Sequence, residues 1–165
     1  MILGDLIYVS SEKHFFHIHT YYSDKEKWQK GQVFSTEKFN RKESIKNLPK
    51  KIREEEFEKV RIELYKNMPS RYSCLFLSDS IELATYWANK IKNRTGNIQC
   101  LDIELLSGKY VYVDEQIYNI EHFTKEYMQE EANSYWCGDR MEEDFIFTVL
   151  FEGIFRVCQE ISLPL

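Results

Sequence analysis

The spacing of hydrophobic and polar positions along the chain predicts both strands and helices. Alternating positions and short apolar runs between turn residues predict strands, and these cover residues 6–9, 14–20, 32–34, 74–77, 98–106 and 109–113 and two runs within residues 144–161. Apolar residues at helical spacing predict helices over residues 50–66, over residues 80–92 and after Asp114, the last ending before Tyr135. Most helices come early and most strands late, so we expect a single α+β domain over residues 1–165.

Residues 70–92 give the clearest unit of this pattern, a short strand, a polar turn and a helix. Asp79 is suited to cap the helix, and Glu82, three residues later, completes a capping-box pattern. A helix N-terminus that points at the end of a strand is a common place for ligands, especially anions. The pattern therefore predicts a ligand-binding corner around Ser78 and Asp79.

Length and composition narrow the class of protein. The chain has 165 residues, 43% of them hydrophobic, which is enough for one domain with a full core. It contains no apolar run long enough for a membrane helix, and its first residues do not resemble a signal peptide. We therefore expect a cytoplasmic protein that does not bind membranes and whose four scattered cysteines are reduced thiols outside any zinc motif.

Charge and motifs exclude several functions. A net charge of −5 disfavours a generic nucleic-acid-binding surface, and the glycines form neither a phosphate loop nor a dinucleotide fingerprint. Nucleophilic catalysis has little support, because Cys74 lies in an apolar strand and Ser78 lacks the nucleophile-elbow pattern. His17 and His19 share a strand face, but a metal pair needs a third ligand that no spacing supplies. His17 is expected to form hydrogen bonds, either in a polar pocket or as a structural group.

Charged residues offer further candidates. The acidic stretch over residues 139–144 and Glu152 could place a carboxylate at a pocket edge, where it could act as a general base or orient a ribose hydroxyl. The alternative for residues 139–144 is a solvated loop. Arg71, Arg140 and Arg156 could each bind a phosphate, although a surface salt bridge is the better expectation for each of them.

Taken together, these motifs resemble the ADP-ribosyltransferase superfamily and, more narrowly, a small bacterial family of uncharacterised proteins assigned to that fold. The segment FFHIHT resembles the superfamily's first motif, with His17 followed closely by Thr20. The segment LFLSDSIELATYWA resembles its second motif, with Ser78 at the strand end and Tyr86 and Trp87 in the helix. Tyr135-Trp136-Cys137-Gly138 resembles an element of the narrower family.

The resemblance implies a split β-sheet, with helices packed on the early half, and NAD as the cofactor and substrate. His17 and Thr20 would hold the NAD ribose and nicotinamide, Ser78 would line the site, and Tyr86 or Trp87 would stack on the nicotinamide. An ADP-ribosyltransferase would pass ADP-ribose to an unknown acceptor, which could be a protein, a nucleic acid or a small molecule. NAD glycohydrolase activity and a role as a toxin or in phage defence are also compatible with the resemblance.

The third motif departs from the superfamily pattern. Thr148 stands where the resemblance implies the catalytic glutamate, and Glu152 lies four residues later, on the same strand face unless a bulge intervenes. We therefore expect Glu152 and His17 to be the catalytic residues of an active enzyme. The alternative is a non-catalytic binding module that keeps the ADP-ribosyltransferase fold.

Overall fold

A computed structural model describes residues 2–95, 97–115, 124–139 and 146–165. Its strands are β1 Ile7–Tyr8, β2 Lys13–Thr20, β3 Val33–Ser35, β4 Leu75–Leu77, β5 Ile98–Asp114 and β6 Phe147–Ile161. The described residues also form three α-helices, α1 Leu48–Leu64, α2 Ile81–Thr95 and α3 Lys125–Cys137. This mixture confirms the α+β class. None of the helices within these described ranges has the length and apolar character that a membrane span requires.

The six described strands form one antiparallel sheet that curls strongly. The long strands β5 and β6 pair with each other in its centre. β1 and β2 pair with the other edge of β5, and β3 and β4 pair with the other edge of β6. The curl brings β2 to the end of β4, where Phe16 and Ser78 exchange two backbone hydrogen bonds of 2.8 Å each. We call this contact between Phe16 and Ser78 the seam.

The sheet has two apolar faces. Its inner face, enclosed by the curl, carries a buried cluster that includes Phe15, Leu77, Leu101, Phe151 and Val157. Its outer face packs under α1 and α3, where a second buried cluster contains Phe57, Val60, Val111, Val113, Ala132, Tyr135, Trp136 and Leu150. Because side chains alternate along a strand, the cluster to which one residue belongs fixes the face of its neighbours.

Two predicted strand breaks are absent: the separate strands over residues 98–106 and 109–113, with a hairpin turn expected at Ser107-Gly108 between them, and the two separate runs within residues 144–161. β5 runs through Ser107-Gly108 without a turn, and β6 runs through Glu152-Gly153. Gly108 and Gly153 are cross-strand partners, and a Cβ atom added to Gly153 would lie 2.0 Å from the backbone oxygen of Ser107. These glycines therefore allow the two backbones to approach closely where the sheet bends. Glycine within a strand can mark such a close approach instead of a turn.

The apolar spacing in residues 50–66 predicts that Ile52, Phe57, Val60 and Leu64 form the buried stripe of helix α1, and the structure buries only two of these four residues. Pro49 lies in the first turn instead of interrupting the chain, and the side chain of Asn47 caps the helix by accepting from the backbone N–H of Lys50 at 3.0 Å. Ile52 and Leu64 are exposed, whereas Glu54 is only 1% exposed. The inward face of the helix therefore carries Phe57 and Val60, as predicted, and Glu54, which is buried in an ion pair with Arg71.

The other two helices begin or end at different residues from those predicted. Ser80, not Asp79, caps α2, since its hydroxyl accepts from the backbone N–H of Leu83 at 3.1 Å. α3 continues through Tyr135 and Trp136, both fully buried, so the expectation that the helix ends before them is wrong. The first part of the region predicted to be helical after Asp114 includes residues 116–123, which lie outside the described residues, and the rest of it from Lys125 onward is helical.

Arg71 forms a buried ion cluster instead of the surface salt bridge that its sequence context suggested. Its Nη1 donates to Glu115 Oε1 at 2.6 Å and to the Tyr135 hydroxyl at 2.5 Å, and its Nε lies 3.3 Å from Glu54 Oε1. Arg71, Glu54 and Glu115 are each less than a tenth exposed. The cluster joins α1, α3, the end of β5 and the segment before β4, and so stabilises the arrangement of these elements around the outer face.

Candidate functional site

His17 lies on the inner face of β2 and reaches across the seam. Its Nδ1 forms a 2.8 Å hydrogen bond with the backbone oxygen of Phe76, and because a carbonyl only accepts, Nδ1 carries the proton. Burial, with a smaller contribution from the neighbouring His19, lowers the pKa of His17 to about 4 against the opposing effect of the Phe76 hydrogen bond. The imidazole is therefore neutral near pH 7, and its Nε2 is a hydrogen-bond acceptor.

His19 and Trp28 form a stack next to His17. The indole of Trp28 lies 4.1 Å from the His19 ring and 5.2 Å from the His17 ring, centre to centre, and nearly parallel to both. His19 Nε2 donates to the backbone oxygen of Glu26 at 2.8 Å, and burial lowers the pKa of His19. Two neutral imidazoles thus present an acceptor nitrogen each beside one flat aromatic surface.

Gln99 fixes the position of Trp28. Its Oε1 accepts from the backbone N–H of Trp28 at 3.0 Å, while its Nε2 donates to the backbone oxygen of the same residue at 3.1 Å. The same Nε2 lies 2.5 Å from Glu160 Oε1. Gln99 is buried, and it lies opposite His19 in the sheet, so this amide joins β5 to the aromatic stack and to the end of β6.

A β-bulge brings Glu160 to the inner face. Val157 pairs with Ile103, but the next pair along is Gln159 with Asp102, which leaves Cys158 without a cross-strand partner residue. The extra residue shifts the alternation of β6, so Glu160 lies opposite the inward-facing Leu101. We call the set of His17, His19, Trp28, Gln99 and Glu160 the mouth site. Sequence reasoning missed Gln99 and Glu160, because only the register of three strands brings them to His17.

The chemistry of the mouth site suits a flat ring attached to a hydroxyl-bearing sugar. The acceptor nitrogens can bind sugar hydroxyls, the indole can stack on an aromatic ring, and the Glu160 carboxylate can bind a hydroxyl or stabilise positive charge. His17 is too weak a base for efficient general-base catalysis at neutral pH, since its pKa is about 4. Its role in such a site would be to orient a ligand.

The structure brings some predicted site residues near His17. Ser78 is buried, and its backbone forms the seam with Phe16, the residue next to His17. Thr148 is buried one strand further, and its hydroxyl donates to the backbone oxygen of Leu77 at 3.1 Å. Thr20 lies exposed at the end of β2. The strand, turn and helix expected around Ser78 are therefore present, with His17 on one side of Ser78 and Thr148 on the other.

The two residues that were expected to stack on the nicotinamide lie on α2, and the aromatic ring that stacks on His17 is a different one. Tyr86 and Trp87 contact each other edge to face at 5.0 Å on α2, and Trp87 Nε1 donates to the backbone oxygen of Phe147 at 3.3 Å. Trp87 therefore packs at the start of β6. The ring that stacks on His17 is Trp28.

The structure does not bring Glu152 together with His17. No register shift separates Thr148 from Glu152, so the two residues share one face, as expected. That face is the outer one, because the intervening Leu150 belongs to the cluster under α1 and α3. Glu152 forms an ion pair with Lys109 at 3.2 Å there. Of the acidic stretch at 139–144, Asp139 is exposed and residues 140–144 lie outside the described residues.

Comparison with known proteins identifies one relationship. A family model described as "Protein of unknown function (DUF2441)" matches residues 37–163, more than half of the chain. The match covers β4, β5, β6 and all three described helices, and it includes Gln99 and Glu160 but begins after His17 and Trp28. A comparison with curated proteins finds no match.

Proposed function

We propose a function from the geometry of the mouth site. The chain belongs to the DUF2441 family, which is described as a family of unknown function, so the family itself does not supply one. The proposal is an ADP-ribosyltransferase-like protein that binds NAD and transfers ADP-ribose to an acceptor. The observation that carries it is the convergence of a neutral histidine, a stacking indole and a late-strand glutamate on one face of the sheet. The resemblance of the histidine strand and of the strand–turn–helix motif to that superfamily agrees with this set.

The fold arrangement supports the same proposal. The superfamily's first two motifs must lie together if both are to bind one NAD molecule. Here the seam joins the strand of His17 to the strand that ends at Ser78, and His17 itself donates to the backbone of Phe76 within β4. We therefore extend the proposal to an ADP-ribosyltransferase-like arrangement of the curled sheet.

Three residues of the mouth site have a direct role in this reaction. The His17 Nε2 accepts a hydrogen bond from a ribose hydroxyl, and the Trp28 indole stacks on the nicotinamide ring. Nicotinamide leaves from C1″ of its ribose, and the Glu160 carboxylate stabilises the positive charge that develops on the sugar. An acceptor then attacks C1″. If water is the acceptor, the same site acts as an NAD glycohydrolase. Because the indole lies against both imidazoles, NAD must displace it from at least one of them.

The test compares two glutamates of the same strand. Glu160→Gln is expected to lower the rate of nicotinamide release from NAD at least about tenfold, whereas Glu152→Gln, on the outer face, is expected to leave it within about twofold. Nicotinamide is quantified by chromatography with the full chain, and circular dichroism checks that both variants are folded. Equal rates in wild type and Glu160→Gln would remove Glu160 from the mechanism, and a loss confined to Glu152→Gln would restore the glutamate chosen from sequence.

A non-catalytic binding module is the second candidate, and Thr148 favours it. At the position where the resemblance implies the catalytic acid, the Thr148 hydroxyl is engaged with the backbone oxygen of Leu77. Isothermal titration calorimetry separates the candidates: heat of NAD binding, lost in Trp28→Ala, without nicotinamide release indicates a binding module. No heat at millimolar NAD counts against both candidates.

A further inference from the structure

A cluster of metal-binding side chains lies on the outer face of the sheet, away from the mouth site. It contains His14 from β2, Glu104 from β5 and Cys158 from β6. One ligand atom from each residue lies within 4.8 Å of the other two. These three residues lie far apart in the chain and form no metal-binding spacing, so the set is visible only in the folded sheet.

The register of the sheet builds this cluster. His14 and Glu104 are direct cross-strand partners, which brings their side chains together on one face. Cys158 is the extra residue of the bulge in β6, where a bulge commonly redirects a side chain. The three residues therefore come from three neighbouring strands, so that the positions of their backbones are fixed by the sheet.

The donor atoms fit zinc best among the common metal ions. An imidazole nitrogen, a thiolate and a carboxylate are the three ligand types of protein zinc sites, whereas Mg²⁺ and Ca²⁺ prefer oxygen ligands. Bonds of about 2.0–2.3 Å to zinc require the three side chains to move together by roughly an ångström. All three side chains are at least partly accessible, so such a movement requires no repacking of the core.

Neighbouring carboxylates support the histidine in this role. His14 Nδ1 lies 2.8 Å from Asp102 Oδ1, and His14 Nε2 lies 3.0 Å from Glu12 Oε1. Whichever ring nitrogen binds an ion, the other one keeps a carboxylate partner. A carboxylate that accepts from a ligating histidine orients the ring and increases its basicity, as in many zinc sites.

Arg156 competes with an ion for Glu104. Its Nη1 donates to Glu104 Oε1 at 2.9 Å, and its side chain is 46% exposed. An exposed ion pair of this kind contributes little and can open at low cost. We propose that His14, Glu104 and Cys158 bind one Zn²⁺ ion on the outer face of β2, β5 and β6, with Arg156 turning away from Glu104.

The test uses ZnCl2 and CoCl2 with the reduced full chain. Calorimetry is expected to give one Zn²⁺ per chain, with affinity reduced at least about tenfold in Cys158→Ser and in Glu104→Gln and increased in Arg156→Gln. Co²⁺ reports the ligand directly, because a thiolate ligand adds a near-ultraviolet charge-transfer band to its spectrum. That band is expected in wild type and lost in Cys158→Ser.

Cys137→Ser is the matched control, since Cys137 is an exposed thiol at the end of α3 and outside the cluster. The control is expected to keep both the band and the zinc affinity. The proposal is overturned if wild type shows no thiolate band, if the band disappears only in Cys137→Ser, or if zinc binds folded Cys158→Ser and Glu104→Gln as tightly as wild type. Nicotinamide release is not part of this test, so its outcome is independent of the proposed NAD chemistry.

Discussion

His17→Asn tests whether a buried neutral imidazole makes the folded protein sensitive to acid. The asparagine Nδ2 lies near the position of the histidine Nδ1, so it can still donate to the backbone oxygen of Phe76, but it does not titrate. In the unfolded chain His17 has the ordinary pKa of 6.5, and in the folded protein burial lowers that pKa to about 4. Between these values the unfolded state binds more protons, so the free energy of unfolding falls as the pH falls.

The magnitude follows from the two pKa values. Each pH unit well inside the window costs about 1.4 kcal/mol. His17 therefore accounts for a loss of about 2 kcal/mol between pH 7 and pH 5, and of about 3 kcal/mol by pH 4, as an order of magnitude. The contribution is fully present above the unfolded pKa, decreases as the pH falls below 6.5, and is gone below the folded pKa.

The assay is urea unfolding followed by circular dichroism at several pH values between about 5 and 7.5, with a chelator present. The free energy of unfolding of His17→Asn is expected to fall less steeply towards low pH than that of wild type, since other titrating groups cancel in the difference. His14→Asn is the control, and its effect on the pH dependence of the free energy of unfolding is expected to have the opposite sign, because hydrogen bonds to Asp102 and Glu12 raise the pKa of His14. Parallel curves for wild type and His17→Asn would refute the buried neutral state of His17.

Two further substitutions test the packing that supports the site. Arg71→Met removes the cation shared by Glu54 and Glu115 and is expected to lower the free energy of unfolding by about 3–5 kcal/mol. The exposed Arg156→Met is the control and is expected to lower it by about 0–1 kcal/mol, with both variants measured by urea unfolding. Equal losses in the two variants would contradict a buried ion cluster. Gly153→Ala places a Cβ atom 2.0 Å from the backbone oxygen of Ser107 and should destabilise more than Gly31→Ala, which has open space and costs only the backbone strain of about 1–2 kcal/mol. Similar thermal midpoints for the two alanine variants would mean that the two strands do not approach closely at Gly153.

Local sequence patterns correctly predicted whether a segment is a strand or a helix where residues close to one another in the chain determine its structure. The alternation in β2 correctly placed Phe15, His17 and His19 on one face, and the turn after Leu77 correctly began α2. Ser107-Gly108 misled the prediction, because a glycine that permits a turn also permits two backbones to meet within continuous strands. The stripe of α1 misled it too, because Glu54 is buried in an ion pair with Arg71, which lies 17 residues away in the chain.

The site was predictable in part, for a related reason. His17 and Ser78 come from strong local motifs, and the seam places them together. The choice of Glu152 depended on counting positions along β6, and the count from Thr148 was right. The prediction that Glu152 lies on the same face of the sheet as His17 was wrong, because strand alternation alone does not show which face of a curled sheet is enclosed. The bulge that turns Glu160 inward depends on the pairing of β6 with β5, which no local pattern in either strand reveals.

That bulge connects the two proposals made for this protein. An uninterrupted β6 with Val157 facing inward would direct Glu160 outward and would leave Cys158 paired within the ladder. One inserted residue instead gives Glu160 to the inner face, whereas Cys158 stays on the outer face, so the two side chains lie on opposite sides of the same strand, two residues apart. An ion held by Cys158 and Glu104 would therefore restrain the backbone that positions Glu160. Because catalytic groups depend on sub-ångström placement by the structure behind them, zinc at the outer face would act on the mouth site through the backbones of this bulge and of β2, which carries His14 and His17, without touching NAD.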